Sequence, residues 1–170
     1  RAIFYRQQYD IPSEIGTAVT VQSMVFGHMG RDCGTGVWFT RDPSSGEKEL
    51  FAEYLLNAQA DDVVAGIRTP KNIKTMQREM RKVHLQIENT AKTVERHFRD
   101  MQDFEFRIEN ETLYLLQTRS AKRSGIAAAK IACDMVKERL ISKEEAVMRV
   151  LPEQLEQFLF PIFNPSDKKK

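Results

Sequence analysis

The sequence has 170 residues, 41% of them hydrophobic, and 26 basic residues against 24 acidic ones give a formal net charge of +2. That is enough chain for one sizeable domain or two small subdomains with a buried core, and the scattered charges exclude the basic stripe of a nucleic-acid binder. Cys33 and Cys133 lie far apart without CxxC spacing, which argues against both a disulfide framework and a structural zinc site and suits a cytoplasmic or otherwise reducing interior. No apolar run approaches the roughly 18 residues that cross a bilayer, so no membrane partner is expected. Arg1 opens the chain without a signal-peptide pattern, as expected of a piece cut from a longer polypeptide.

In chain order, the β-branched stretch from Thr17 to Phe26 predicts a strand entering the glycine-rich turn GHMG. A second strand is expected from Gly36 to Thr40, a turn at RDPSSGEKE, and a third strand in ELFAEYLL. From Asn72 to about Met101 there is neither Gly nor Pro, and Ile73, Met76, Met80, Val83, Ile87, Val94 and Phe98 recur at helical spacing. This predicts one long amphipathic helix, or two with a break near Asn89. A hairpin follows from Phe104 to Arg119, then a helix from about Ile126 to Leu140. Another helix opens with the capping box Ser142-Lys143-Glu144-Glu145, and a last one starts at Pro152. The expected class is α+β, an antiparallel sheet packed with helices and followed by a helical segment.

The hairpin carries the sharpest chemical signal. Strand alternation puts Phe104, Phe106 and Ile108 on one face and Glu105, Arg107 and Glu109 on the other. The apolar faces meet if Phe106 stands opposite Leu116, which sets Glu105 opposite Gln117 with Arg119 nearby. Two adjacent oxygen-bearing side chains suit Mg²⁺, which takes few protein ligands and completes its shell with phosphate oxygens and water. A neighbouring guanidinium suits a phosphate touched by the same metal. The bland reading of the same residues is a half-exposed sheet face on which Arg119 pairs with Glu105. Gly34, Thr35 and Gly36 are candidates for a loop whose amides approach an anion, although the stretch has no GK[ST] ending. Glu53, Asp61 and Asp62 are further acidic candidates. His28, His84 and His97 have no metal-ligand spacing and read as structural or surface residues.

Together the segments TAVTVQSMVFG, GTGVWFTRDPSSGE, EYLLNAQADDVVAGIRTP, HFRDMQDFEF, LYLLQTR, AAAKIACDMV and PEQLEQFL resemble, in order, the pyruvate, phosphate dikinase family. The resemblance covers the later part of the nucleotide-binding domain, an ATP-grasp fold. It implies a reaction in which ATP phosphorylates a carrier histidine and inorganic phosphate takes the γ-phosphoryl group. The phosphohistidine then converts pyruvate to phosphoenolpyruvate, leaving AMP and diphosphate. It further implies that Glu105 and Gln117 are the metal pair, that Arg119 stabilises phosphate, and that Gln22 and Met24 lie at the adenine pocket. Gly34, Thr35 and Gly36 would lie on the phosphate side, with Glu53 and Asp62 contributing polar contacts. Mg²⁺, ATP, inorganic phosphate and the phosphohistidine and pyruvate-binding domains of a homo-oligomeric parent are the implied cofactors and partners.

The expected organisation is a nucleotide and metal subdomain over 1–119, a helical segment over 120–160 and a linker over 161–170, the piece alone being inactive. His28, Arg31, Cys33, Ile15 and Ala60 depart from the family pattern. Two rival readings are the related water-dependent dikinase, which shares the FTRDP region, and a non-catalytic interaction module using the long charged helix.

Overall fold

Trp38, Tyr54, Phe104, Phe106 and Ile108 are completely buried, and together they decide how the sheet lies on its helices. In the computed structural model, which describes residues 1–59, 62 and 68–159, they come from three strands of one five-stranded antiparallel sheet. The strands are β1 (Gly34–Phe39), β2 (Phe51–Leu56), β3 (Lys71–Asn72), β4 (Gln102–Glu109) and β5 (Thr112–Ser120), ordered β3-β2-β1-β4-β5. The helices are α1 (Ala2–Gln8), α2 (Ile73–Glu79), α3 (Arg81–Phe98), α4 (Gly125–Lys137), α5 (Lys143–Arg149) and α6 (Pro152–Glu156). This is the α+β architecture expected, and helices α4 to α6 follow the sheet in the chain. The tail 161–170, Ala60 and Asp61 lie outside the described residues.

One face of the sheet packs on α2 and α3 through Met76, Met80, Val83, Ile87 and Ala91. Burying large apolar side chains contributes about 1.5–3 kcal/mol each, so this layer fixes which face of β4 is hidden. Gly36 is part of the same fit. A Cβ there would lie 2.4 Å from the Glu53 carbonyl and 2.7 Å from the Phe106 ring. The interruption of the long helix falls at Met80 (φ −141°, ψ 60°) rather than at Asn89. Met80 leaves the helical conformation while its side chain enters the core, whereas Asn89 is exposed and costs an α-helix only a few tenths of a kcal/mol.

Two elements differ from the sequence pattern. The stretch from Thr17 to Phe26 is extended chain without strand pairing, Val19 and Val21 being 84% and 93% exposed. Its β-branched residues favour a strand, but a strand forms only against a partner, and none lies beside it among the described residues. The short helix α1 has no glycine or proline and no side-chain cap, and no pattern in the sequence announces it.

A second core, made by Met101, Ala121, Ala127, Ile131, Met135 and Ile141, joins α4 to the sheet, and Phe39 packs against it. Ser142 and Glu145 form the reciprocal capping box at the start of α5. Arg41, in the turn after β1, is wholly buried. It donates to both carboxylate oxygens of Glu95 on α3 at 3.0 and 2.8 Å and to Glu138 after α4 at 2.9 Å. Lys48 donates to the same Glu138 oxygen at 2.6 Å. Asp100 and Arg123 form a second, two-pronged tie at 2.8 Å for each bond. The helical segment is therefore bolted to the sheet at two points.

Removing one partner of a buried pair leaves an uncompensated charge, so Arg41→Met is expected to lower unfolding free energy by about 3–5 kcal/mol. Urea unfolding checks this; a loss below about 1 kcal/mol would reduce the cluster to the weight of a surface pair. Burial works against the Glu138 carboxylate, but its bonds with Arg41 and Lys48 outweigh that and hold it below its ordinary value of 4.5. A depressed carboxylate stabilises the fold above its ordinary value, and that stability is lost as pH falls through the folded value. Glu138→Gln should therefore weaken the fold near neutrality and show a shallower decline of melting temperature below about pH 4.5. An acid limb as steep as that of the wild type would contradict this.

Candidate functional site

The side of the sheet away from α2 and α3 is open, and its side chains fall into rows set by the strand register. Glu53, Val37, Glu105 and Gln117 form one row across β2, β1, β4 and β5. Phe51, Phe39, Asp103 and Arg119 form the next, and Leu55, Thr35, Arg107 and Tyr114 the row on the other side. Directly opposed residues of an antiparallel pair share a face. Glu105, Gln117 and Arg119 thus converge as the sequence pattern predicts. Glu53 stands two strands from Glu105, about 10 Å by strand spacing.

The register reaches this outcome differently from the expected one. Phe106 stands opposite Leu115, not Leu116, because the ladder shifts between Glu105 and Phe106. The extra residue is a β-bulge in β5, which changes the facing of everything on its turn side. Leu113 packs against the main core opposite Ile108, while Tyr114 is delivered to the open face opposite Arg107 and is 41% exposed. The apolar run from Leu113 to Leu116 fits either alternation, so the sequence holds no signal for the bulge.

Arg119 does not pair with Glu105. Its Nε donates to Asp103 Oδ2 at 2.8 Å, the aspartate being largely buried and the arginine exposed. That bond, with the Asp103 charge and then the Glu105 charge, holds the guanidinium above its ordinary pKa. Its remaining nitrogens are left to face solvent or a ligand. Asp103 was legible from strand alternation, standing two residues before Glu105 and so on the same face. Neither Glu105 nor Gln117 makes a side-chain hydrogen bond among the described residues. No cluster of three or more His, Cys, Asp or Glu residues that could hold a metal occurs among them. One carboxylate beside one amide oxygen fits a hydrated Mg²⁺ that shares phosphate oxygens, and does not fit an all-protein metal cage.

The remaining candidates are more dispersed. Gly34, Thr35 and Gly36 lie inside β1 rather than in a loop, because β1 is paired on both sides. The Thr35 hydroxyl donates to the Phe106 carbonyl at 3.3 Å and is buried, and Gly36 makes room for a ring on the core side. Asp62 accepts the Gln59 amide at 2.8 Å, away from the Glu105 row. Gln22 and Met24 are exposed on the extended stretch, whose end is pinned to β4. The Arg107 guanidinium donates to the Val25 carbonyl, and the Phe26 amide donates to Glu109 at 2.9 Å. Gly27 continues past the sheet end so closely that a Cβ would meet two carbonyl oxygens at 2.6 Å. His84 is buried on α3, His97 ends the same helix, and His28 contacts Gln59.

A sheet face presenting a carboxylate, an amide oxygen and a guanidinium held by a second carboxylate is equipped to receive a metal-bridged phosphate chain. The chain belongs to the family described as "Pyruvate phosphate dikinase, AMP/ATP-binding domain", whose model matches residues 1–88 and 82–140. Pyruvate, phosphate dikinase of Clostridium symbiosum is 54% identical over 169 residues, covering 99% of this chain and 19% of that protein. The Rickettsia prowazekii enzyme is 54% identical over 164 residues, covering 94% of this chain and 19% of its own length. The chloroplastic pyruvate, phosphate dikinase 1 of Arabidopsis thaliana is 49% identical over 164 residues, covering 96% and 17%. This chain thus spans about a fifth of the length of the curated relatives it matches. Among the described residues no helix is long and apolar enough to cross a membrane.

If Arg107 holds the Val25 end of the stretch against the sheet, Arg107→Ala should speed hydrogen exchange severalfold at the Phe26 amide, which donates to Glu109, and leave β1 and β4 protected. Unchanged exchange at Phe26 would show that the stretch is held by something else.

Proposed function

We propose that this chain supplies the metal and phosphate half of the ATP site of a pyruvate, phosphate dikinase, the enzyme its relatives are named for. The observation that carries the reading is the row in which Glu105 faces Gln117, with Arg119 and its Asp103 partner in the adjacent row. Glu105 and Gln117 would hold Mg²⁺, which would supply positive charge to offset that of the phosphates. Arg119 offers its free guanidinium nitrogens to the phosphoryl group in transfer, where preorganised donors stabilise developing negative charge. Asp103 keeps that guanidinium aimed without occupying all of its donors. Glu53, Thr35, Gly34 and Gly36 line the same sheet, and Gln22 and Met24 on the pinned stretch serve the adenine side. Asp62, which stands apart from the row, contributes at most to the rim.

The overall reaction is ATP, phosphate and pyruvate to AMP, diphosphate and phosphoenolpyruvate. In this reading a histidine outside the chain carries the phosphoryl group. His84 and His97 sit on α3, on the covered side of the sheet, and His28 is engaged at its end.

The test is calorimetric Mg-ATP binding and phosphohistidine formation by the full-length protein that contains this chain, with and without Glu105→Ala plus Gln117→Ala. The double variant should bind Mg-ATP at least tenfold more weakly and form little phosphohistidine, and turnover of the wild type should require inorganic phosphate. A double variant indistinguishable from the wild type would make the row a solvated sheet face. Release of phosphate from ATP with no phosphate requirement would point to the water-dependent reaction instead.

A further inference from the structure

Among the described residues the Tyr114 side chain has no ion pair with any group. The β5 bulge turns it to the open face, where it stands opposite Arg107, and 41% of it is exposed. It takes part in no ring contact or side-chain hydrogen bond among the described residues. Gln117 and Arg119, on the other side of the bulge, reach the same face, so the bulge lets one strand present an aromatic ring, an amide and a guanidinium together.

The position of the ring along the face gives it a specific use. At one end, Phe39 of the Asp103–Arg119 row packs into the second core, and α4 closes that side. The charged groups suited to phosphate lie in that row and in the Glu105–Gln117 row beside it. A nucleotide whose phosphates occupy those rows has its sugar and base directed the other way, along the strands toward Arg107 and Tyr114. One step between rows is about 7 Å, the advance of two strand residues. There the extended stretch from Thr17 to Phe26 ends, tied to the Arg107 and Glu109 side chains. A partly exposed flat ring with no ring partner among the described residues is suited to stacking on a purine or pyrimidine.

Building on the nucleotide-site reading above, we infer that Tyr114 is a base-stacking residue, forming the floor under the nucleobase while Glu105, Gln117 and Arg119 take the phosphates. The contact comes from the ring and not from the hydroxyl. It therefore holds the base in place and contributes to substrate affinity, leaving the chemistry at the phosphates untouched.

The experiment measures binding of Mg-ATP and of magnesium tripolyphosphate, which lacks sugar and base, to the full-length protein carrying Tyr114→Ala, Tyr114→Phe or Glu105→Ala. Tyr114→Ala should weaken ATP binding roughly tenfold or more, the range seen when an aromatic partner of a base is removed, while tripolyphosphate binding stays as in the wild type. Tyr114→Phe should restore ATP binding. An unchanged ATP affinity in Tyr114→Ala, an equal loss for both ligands, or a failure of phenylalanine to restore binding would overturn the inference. If Glu105→Ala binds ATP like the wild type, or the wild type binds no ATP, the nucleotide-site reading has failed and takes the inference with it.

Discussion

Burying Phe104, Phe106 and Ile108 beneath α3 is the constraint on which the site depends. Each contributes about 1.5–3 kcal/mol by leaving water, and all three lie on one face of β4. A slip of one residue would exchange the faces, exposing these three and burying Asp103, Glu105 and Arg107 without partners. The apolar residues thus select the face of β4, and that choice places the polar ones. Glu105 lies on the open face, where the ladder sets it opposite Gln117, because its neighbours must be dry. The polar row needs no attraction of its own to form, and among the described residues Glu105 and Gln117 make no side-chain hydrogen bond that a ligand would have to displace.

The open face is framed at both ends by different means. At the Phe39 end the second core brings α4 against the sheet, and the Arg41, Glu95 and Glu138 cluster fixes that docking from within. A buried ion cluster is weak evidence for stability in itself, yet breaking it is costly. Its consequence here is geometric, since α3, the turn after β1 and the end of α4 are held to one another. At the other end the frame is a pair of hydrogen bonds from an extended stretch to Arg107 and Glu109. The first end rests on buried charge and packed side chains, while the second holds a stretch whose Val19 and Val21 face solvent. Local opening is therefore expected first on the side of the face where the base would enter.

Much of this could be read from the residues in order. The hairpin and the buried face of β4 were legible because Phe104, Phe106 and Ile108 alternate without interruption, and the α5 capping box was legible because Ser142 and Glu145 stand at the spacing it requires. The bulge was not, because Leu113 to Leu116 is apolar throughout and any register satisfies it; Tyr114 was hidden with it. Arg41 reads as an ordinary turn residue before Asp42 and Pro43, and its burial depends on Glu95 and Glu138, which stand 54 and 97 positions away. The stretch from Thr17 to Phe26 has the composition of a strand, but composition cannot supply a partner. Gly34 and Gly36 suggested a loop for a related reason. Glycine marks close approach as often as it marks a turn, and at Gly36 what approaches is the Phe106 ring.

The proposed site rests on Glu105 and Gln117 holding a divalent cation on this face. Its most direct test is anomalous diffraction from crystals of the full-length protein grown with Mn²⁺ in place of Mg²⁺ and a non-hydrolysable ATP analogue. The expected result is a manganese peak shared by the Glu105 carboxylate and the Gln117 amide oxygen. A peak elsewhere, with these two side chains left in solvent, would contradict it.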